Sequence, residues 1–246
     1  MKTERYTLPD IIRGAAIAEM IIYHGLWDLV FVFGEDISWF NSSGAYIWQQ
    51  SICWTFIFLS GFCFNLGKHK LKRSLTVLIC SAVISIVTII AMPDAAVKFG
   101  VLTLIGSCML FMIPFDKIFS KIDPMAGVFV SFALFVILKN VSCGSLGFEG
   151  LVITALPECL YRNLFTAYIG FPHASFASSD YFPLIPWFFL FTAGYFIYHI
   201  LNKYDLLKNL SAVKFPPLEW VGRHSLIIYM LHQPVVYGAI WLAENL

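Results

Sequence analysis

The sequence predicts an all-α polytopic membrane protein, a bundle of about seven transmembrane helices. Three observations carry this. The 246-residue chain is 59% hydrophobic and only 13% charged, half the charge load of an ordinary soluble domain at about 25%. Apolar runs of about 20 residues, the length that crosses a bilayer, recur along it. The cations between those runs fall almost entirely on alternate connections. A net charge of +1 says nothing about nucleic acid, but no basic tract is interleaved with base-stacking aromatics as RNA binders require, so no nucleic-acid partner is expected.

In order, the spans are expected at 8–32, 45–66, 74–92, 99–115, 124–140, 183–203 and 220–243. The first is too long for a cleavable leader's apolar core, and no small-residue cleavage site follows it. The N-terminus and the connections 67–73, 116–123 and 204–218 carry Lys2, Arg5, Lys68, Lys70, Lys72, Arg73, Lys117, Lys121, Lys203, Lys208 and Lys214. The opposite side carries Lys98, Lys139 and Arg162. The positive-inside rule then places the N-terminus in the cytoplasm and the C-terminus outside. Residues 141–182 form a long extracytoplasmic connection, and "LPECLYRNLFTAYIGF" within it reads as an interfacial amphipathic helix with Arg162 towards water. Cys143 and Cys159 share that connection, which leaves a disulfide open. The whole of 1–246 reads as a single domain.

The first span carries a charged stripe. Eleven residues of α-helix advance about three turns plus 20°, so Arg13 and His24 share a face, separated by about 16 Å along the axis. Asp28 lies one turn beyond His24, and Asp10 one turn before Arg13, in reach of pairing with it. Asp10, Arg13, Ile17, Met20, His24 and Asp28 therefore line one stripe that must face the bundle interior or a hydrated cavity. Glu19 points elsewhere. Purely structural pairing has equal weight on this evidence.

The last span, "EWVGRHSLIIYMLHQPVVYG", holds His224, Tyr229, His232 and Gln233. Tyr229 and His232 lie on a common side. Arg223 and His224 sit at the cytoplasmic entrance, and Pro234 frees backbone carbonyls beyond His232. Imidazoles at similar depth in two spans suggest a shared polar cavity, with two isolated structural histidines as the alternative. No third ligand at metal-like spacing accompanies them, so no metal is expected. "GKHKLKRS" concentrates Lys68, Lys70, Lys72 and Arg73 beside the membrane. It reads first as a topology signal, and second as a cradle for cofactor phosphates.

"LPDIIRGAAIAEMIIYHGLWDL" resembles the opening signature of the heparan-α-glucosaminide N-acetyltransferase catalytic-domain family, within the wider transmembrane acyltransferases. "FIFLSGFCF", "KFGVLTLIG", "YFPLIPWFFLFTAGYFI" and "GRHSLIIYMLHQPV" follow in that family's order, over nearly the whole chain. The resemblance implies a membrane-embedded acetyltransferase of a bacterial cytoplasmic membrane. Acetyl-CoA, the acyl donor, would enter from the cytoplasm, and an extracytoplasmic saccharide or glycolipid would offer an amine or hydroxyl. His24 is the expected general base, oriented by Asp28, with Tyr229 or His232 donating to the oxyanion. Arg13, Lys68, Lys72, Arg73 and Arg223 are the expected contacts of the CoA phosphates and pantetheine entrance. Trp39, Trp48, Tyr181 and Trp187 can stack on sugar faces, although interface anchoring explains them equally well. A homodimer stays open. So do a transporter or flippase for lipid-linked saccharides and a non-enzymatic membrane subunit whose charges dock a partner helix.

Overall fold

A computed structural model describes residues 6–245, so Lys2 and Arg5, which contribute to the charge asymmetry, lie outside the described residues. The helices are α1 (Thr7–Phe31), α2 (Ser43–Phe62), α3 (Lys70–Ala91), α4 (Val101–Phe119), α5 (Pro124–Leu138), α6 (Leu164–Ile169), α7 (Leu184–Lys203), α8 (Pro216–Arg223) and α9 (Ser225–Glu244). Strands β1 (Ser145–Phe148) and β2 (Leu151–Ala155) form an antiparallel hairpin between α5 and α6. Among the described residues, α1, α3, α4, α5, α7 and α9 begin helices long and apolar enough to cross a membrane.

The remaining expected span, 45–66, is the helix α2. Gln49, Gln50, Ser51 and Thr55 leave it more polar than those six. Its polar groups are satisfied locally: Gln50 Nε2 donates to Gln49 Oε1 at 3.0 Å, and Trp54 Nε1 to Gln50 Oε1 at 3.2 Å. Ser51 and Thr55 donate to carbonyls of the preceding turn. The span expected at 220–243 is divided. Pro216 and Pro217 pre-set the first turn of the short α8. His224, with φ −100° and ψ 13°, ends it, and α9 begins at Ser225.

The chain forms two compact units, Met1–Phe56 with Asp205–Leu246, and Ile57–Tyr204; the division falls inside α2. In the first, α1 packs against α8 and α9. Its core is Ile17, Met20 and Ile52, with Trp48, Val221, Ile228 and Tyr229 packed around them. Glycine sets the closeness of α1 and α8: a Cβ on Gly14 would lie 2.1 Å from Leu218 O, and one on Gly222 1.9 Å from Asp10 O.

In the second unit α5 packs on α7, α3 on α4, and α4 on α7. Phe64, Phe135, Phe191 and Tyr195 are fully buried at its centre. The last residues of α2 meet α7 through a reciprocal glycine contact. A Cβ on Gly61 would lie 1.8 Å from Phe191 O, and one on Gly194 2.0 Å from Phe58 O. Small residues that let backbones touch are how helices associate where lipid offers no hydrophobic gain. Outward, α3 presents Ile79, Ile86 and Ile90, an apolar face suited to hydrocarbon.

The connection 141–182 is less helical than expected. The predicted interfacial helix reduces to a 3-10 turn at Glu158–Leu160 and the six-residue α6, capped reciprocally by Asn163 and Thr166, with Arg162 exposed. Pro157 and the extended Asn163 divide it. Asn140 anchors the hairpin, donating to Glu149 O and Leu151 O. Cys143 and Cys159 are exposed free thiols. Ser178, Ser179 and Phe182 bond to the backbone of 95–99. Asp180 accepts from Val101 N–H at 3.1 Å, satisfying one of the N–H groups that the first turn of α4 leaves without a helical partner.

Candidate active site

The charged stripe of α1 is turned into the first unit, as lipid exclusion demands. Asp10, Ile17, Met20 and Asp28 are buried and Arg13 and His24 half-buried, while Glu19 is exposed. At one end Asp10 sits between two guanidinium groups. Arg13 NH1 lies 3.3 Å from its Oδ1, and Arg223 Nε 3.7 Å from its Oδ2. Arg223 also holds Glu219 at 2.6 Å, and Arg13 NH1 reaches Gly222 O at 3.5 Å. Two arginines and two carboxylates thus form a neutral cluster joining α1 to α8. The predicted Asp10–Arg13 pair is present. Both arginines expected to hold CoA are engaged with acids of their own unit. His224 stands apart, exposed, its ring against Trp220 and its Nδ1 on Trp220 O at 2.8 Å.

Three helical turns further along α1, two rungs tie it to α9. In one, the rings of His24 and His232 lie 4.9 Å apart. In the other, Gln233 Nε2 donates to Asp28 Oδ1 at 2.7 Å. Tyr229 packs beside the first rung, its ring 5.4 Å from His232. The two imidazoles expected at similar depth are therefore in contact with each other. Glutamine 233, seen in the sequence only as a polar group, is the residue that completes it.

Two expected pairings change. Asp28 was expected to orient His24; its carboxylate is instead taken by Gln233, because the side chain one turn after His24 meets α9 one residue beyond His232. His232 was expected, as an alternative to Tyr229, to donate to the oxyanion. Its Nδ1 lies 2.6 Å from Tyr229 O, and a carbonyl oxygen only accepts, so Nδ1 carries the hydrogen. In the neutral ring Nε2 is then a lone pair, able to accept a proton and unable to donate one.

On the other side of His24, Tyr23 lies edge-on at 6.1 Å. Trp48 is 5.4 Å from Tyr23, and Trp39 6.1 Å from Trp48, with Trp39 49% exposed. A ladder of rings thus leads from the histidine to the surface of the unit. The other two aromatics expected to stack on sugars do not suit that use. Trp187 is buried between Phe135, Phe182 and Lys139. Tyr181 donates its hydroxyl to Ala167 O.

Lys68, Lys72 and Arg73 belong to the second unit, where Lys68 and Lys72 are exposed and Arg73 half-buried against Gly67. Their neighbour Lys70 anchors a network that the sequence did not reveal. It donates to Asn65 Oδ1 at 3.0 Å and Asp116 Oδ2 at 2.8 Å. Tyr195 OH donates to Asp116 Oδ1 at 2.6 Å, and Asn65 Nδ2 meets His199 Nε2 at 3.0 Å. Donors and acceptors balance there, the signature of a structural tie between helix ends. Spacing could not have found it, because its five members come from three helices and a connection.

No curated protein and no solved structure matches the chain. The family described as "Heparan-alpha-glucosaminide N-acetyltransferase, catalytic" matches residues 5–234. With its spans, its paired histidines and a match over nearly its whole length, the chain belongs to this family of membrane acetyltransferases.

Proposed function

We propose that the protein transfers the acetyl group of cytoplasmic acetyl-CoA to an amine or hydroxyl of an extracytoplasmic saccharide, in a bacterial cytoplasmic membrane, with His24 as general base. The observation that carries the reading is the His24–His232 contact between α1 and α9, in a chain of an acetyltransferase family. An acyl transfer without metal needs a group that takes up a proton near neutral pH, and imidazole is that group.

In the reaction the acceptor nitrogen or oxygen forms a bond to the thioester carbonyl carbon, and its proton passes to His24. The negative charge that develops on the carbonyl oxygen takes a hydrogen bond from the Tyr229 phenol. Collapse breaks the carbon–sulfur bond, and the proton held by His24 leaves with the CoA thiolate as the thiol. His232, fixed by the Tyr229 carbonyl, offers Nε2 as a second resting place for the proton. Direct transfer within a ternary complex accounts for this without an acyl-enzyme. Arg13 and Arg223 take the donor's phosphates by exchanging Asp10 and Glu219 for them. Lys68, Lys72 and Arg73, in a segment that the charge asymmetry assigns to the cytoplasmic side, are by themselves a second candidate contact for phosphate.

The purified protein in detergent, given acetyl-CoA and a panel of amino and neutral sugars, tests this. His24→Ala is expected to lower acetyl transfer at least 100-fold while acetyl-CoA still raises the melting temperature. Undiminished transfer by that variant would remove His24 from the chemistry. Saccharide uptake into proteoliposomes with no acetylated product would favour the transporter instead.

A further inference from the structure

Three buried atoms on the two rungs between α1 and α9 have no hydrogen-bond partner: Asp28 Oδ2, His232 Nε2 and Gln233 Oε1. Asp28 is 1% exposed and His232 9%. A polar atom buried this way forfeits its hydration without replacement, and native structures rarely tolerate it without a use. All three atoms have the same polarity. Carboxylate and amide oxygens accept, and the Tyr229 carbonyl makes His232 Nε2 an acceptor too. In the network around Lys70, by contrast, ammonium, phenol and amide hydrogens answer the acceptors. Among the described residues no Lys or Arg nitrogen forms an ion pair with Asp28, which accepts from the uncharged amide of Gln233. What the site lacks is hydrogens.

We infer that Asp28, His232 and Gln233 form the acceptor subsite, which takes a saccharide through the hydrogens of its amine or hydroxyl groups. Gln233 is the specificity-determining residue: by holding Asp28 Oδ1 it leaves Oδ2 for the ligand and presents its own carbonyl beside it. The inference rests on the acetyl-transfer reading and assigns its acceptor. The ring ladder of Tyr23, Trp48 and Trp39 leading to His24 fits the same class of ligand, since aromatic faces pack against the C–H face of a pyranose.

The test uses the full chain in detergent with methyl β-D-glucosaminide, methyl β-D-glucoside and acetyl-CoA as probes, measuring melting temperature and, under turnover, separate KM values. In the wild type at least one glycoside is expected to raise the melting temperature. Stabilisation by the amino glycoside alone identifies an ammonium on Asp28; stabilisation by both identifies hydroxyl contacts. Asp28→Asn and Gln233→Leu are expected to lose that stabilisation and to raise the glycoside KM at least tenfold, with the acetyl-CoA KM unchanged. Asp28→Asn keeps the shape and removes a buried charge, so its ligand-free melting temperature should not fall. A merely structural pair gives the opposite pattern, a lower melting temperature with both substrates affected alike, and overturns the proposal. Acetyl-CoA binding without any glycoside effect on the wild type also overturns it and leaves acetyl transfer standing. Absence of both acetyl-CoA binding and transfer rejects the function itself.

Discussion

His232 shows how one main-chain contact decides what a side chain can do. The Tyr229 carbonyl assigns its hydrogen to Nδ1, and with that Nε2 becomes an acceptor. The sequence disclosed that histidines occur at matched depths, because helical periodicity fixes which residues share a face. It did not disclose the tautomer, or that Asp28 would meet Gln233. Both depend on how α9 is rotated about its axis, and a single helix's periodicity says nothing about its neighbour. Outside the spans, Asp180 offers a titration that can be followed. Burial pushes its carboxyl up from the ordinary range to about 6, against the hydrogen bond from Val101 N–H. The folded state then binds the proton more tightly than the unfolded state, so stability is greatest below about pH 4 and declines as pH rises to about 6. Melting temperature measured from pH 4 to 7 should fall over that interval. In Asp180→Asn this component should vanish, since the amide oxygen still accepts from Val101.

Helices were legible to within a few residues wherever apolar length decides them, as for 8–32 against Thr7–Phe31 and 183–203 against Leu184–Lys203. The last span was not, because hydropathy does not register the break at His224 that separates α8 from α9. Nor does it show what "FIFLSGFCF" and "FLFTAGYFI" do for each other. Gly61 and Gly194 lie in those two segments, each against a carbonyl of the opposite helix. Backbone cannot move aside as a flexible side chain can. Gly61→Ala and Gly194→Ala should therefore each destabilise the protein by about 1–3 kcal/mol or more, the cost of overpacking. Gly150→Ala, where an added Cβ meets nothing within 4 Å, is the matched control. Thermal unfolding of the three variants in one detergent checks this, and equal melting temperatures would show that α2 and α7 do not depend on the contact.

For the whole molecule, the distribution of cations predicts a threading of the chain, and the membrane character follows from six apolar helices among the described residues. What stayed hidden was the division into two units, because α2 runs through it without a change in composition. The thiols make the threading measurable. Cys143 and Cys159 are exposed, in the connection assigned to the outside, whereas Cys63 and Cys108 are buried. A membrane-impermeant maleimide should label the exposed pair in intact spheroplasts before permeabilisation. Labelling only after permeabilisation would invert the assignment.

The rung between Asp28 and Gln233 joins positions 205 residues apart in the chain. During synthesis α1 must enter the bilayer long before α9 exists, with its carboxylate and imidazole lacking the neighbours that later cover them. The contact between α1 and α9 is consequently completed only once α9 has been made. A product cut short ahead of Ser225 would keep the cost of a charged first helix without the α9 side chains that meet it.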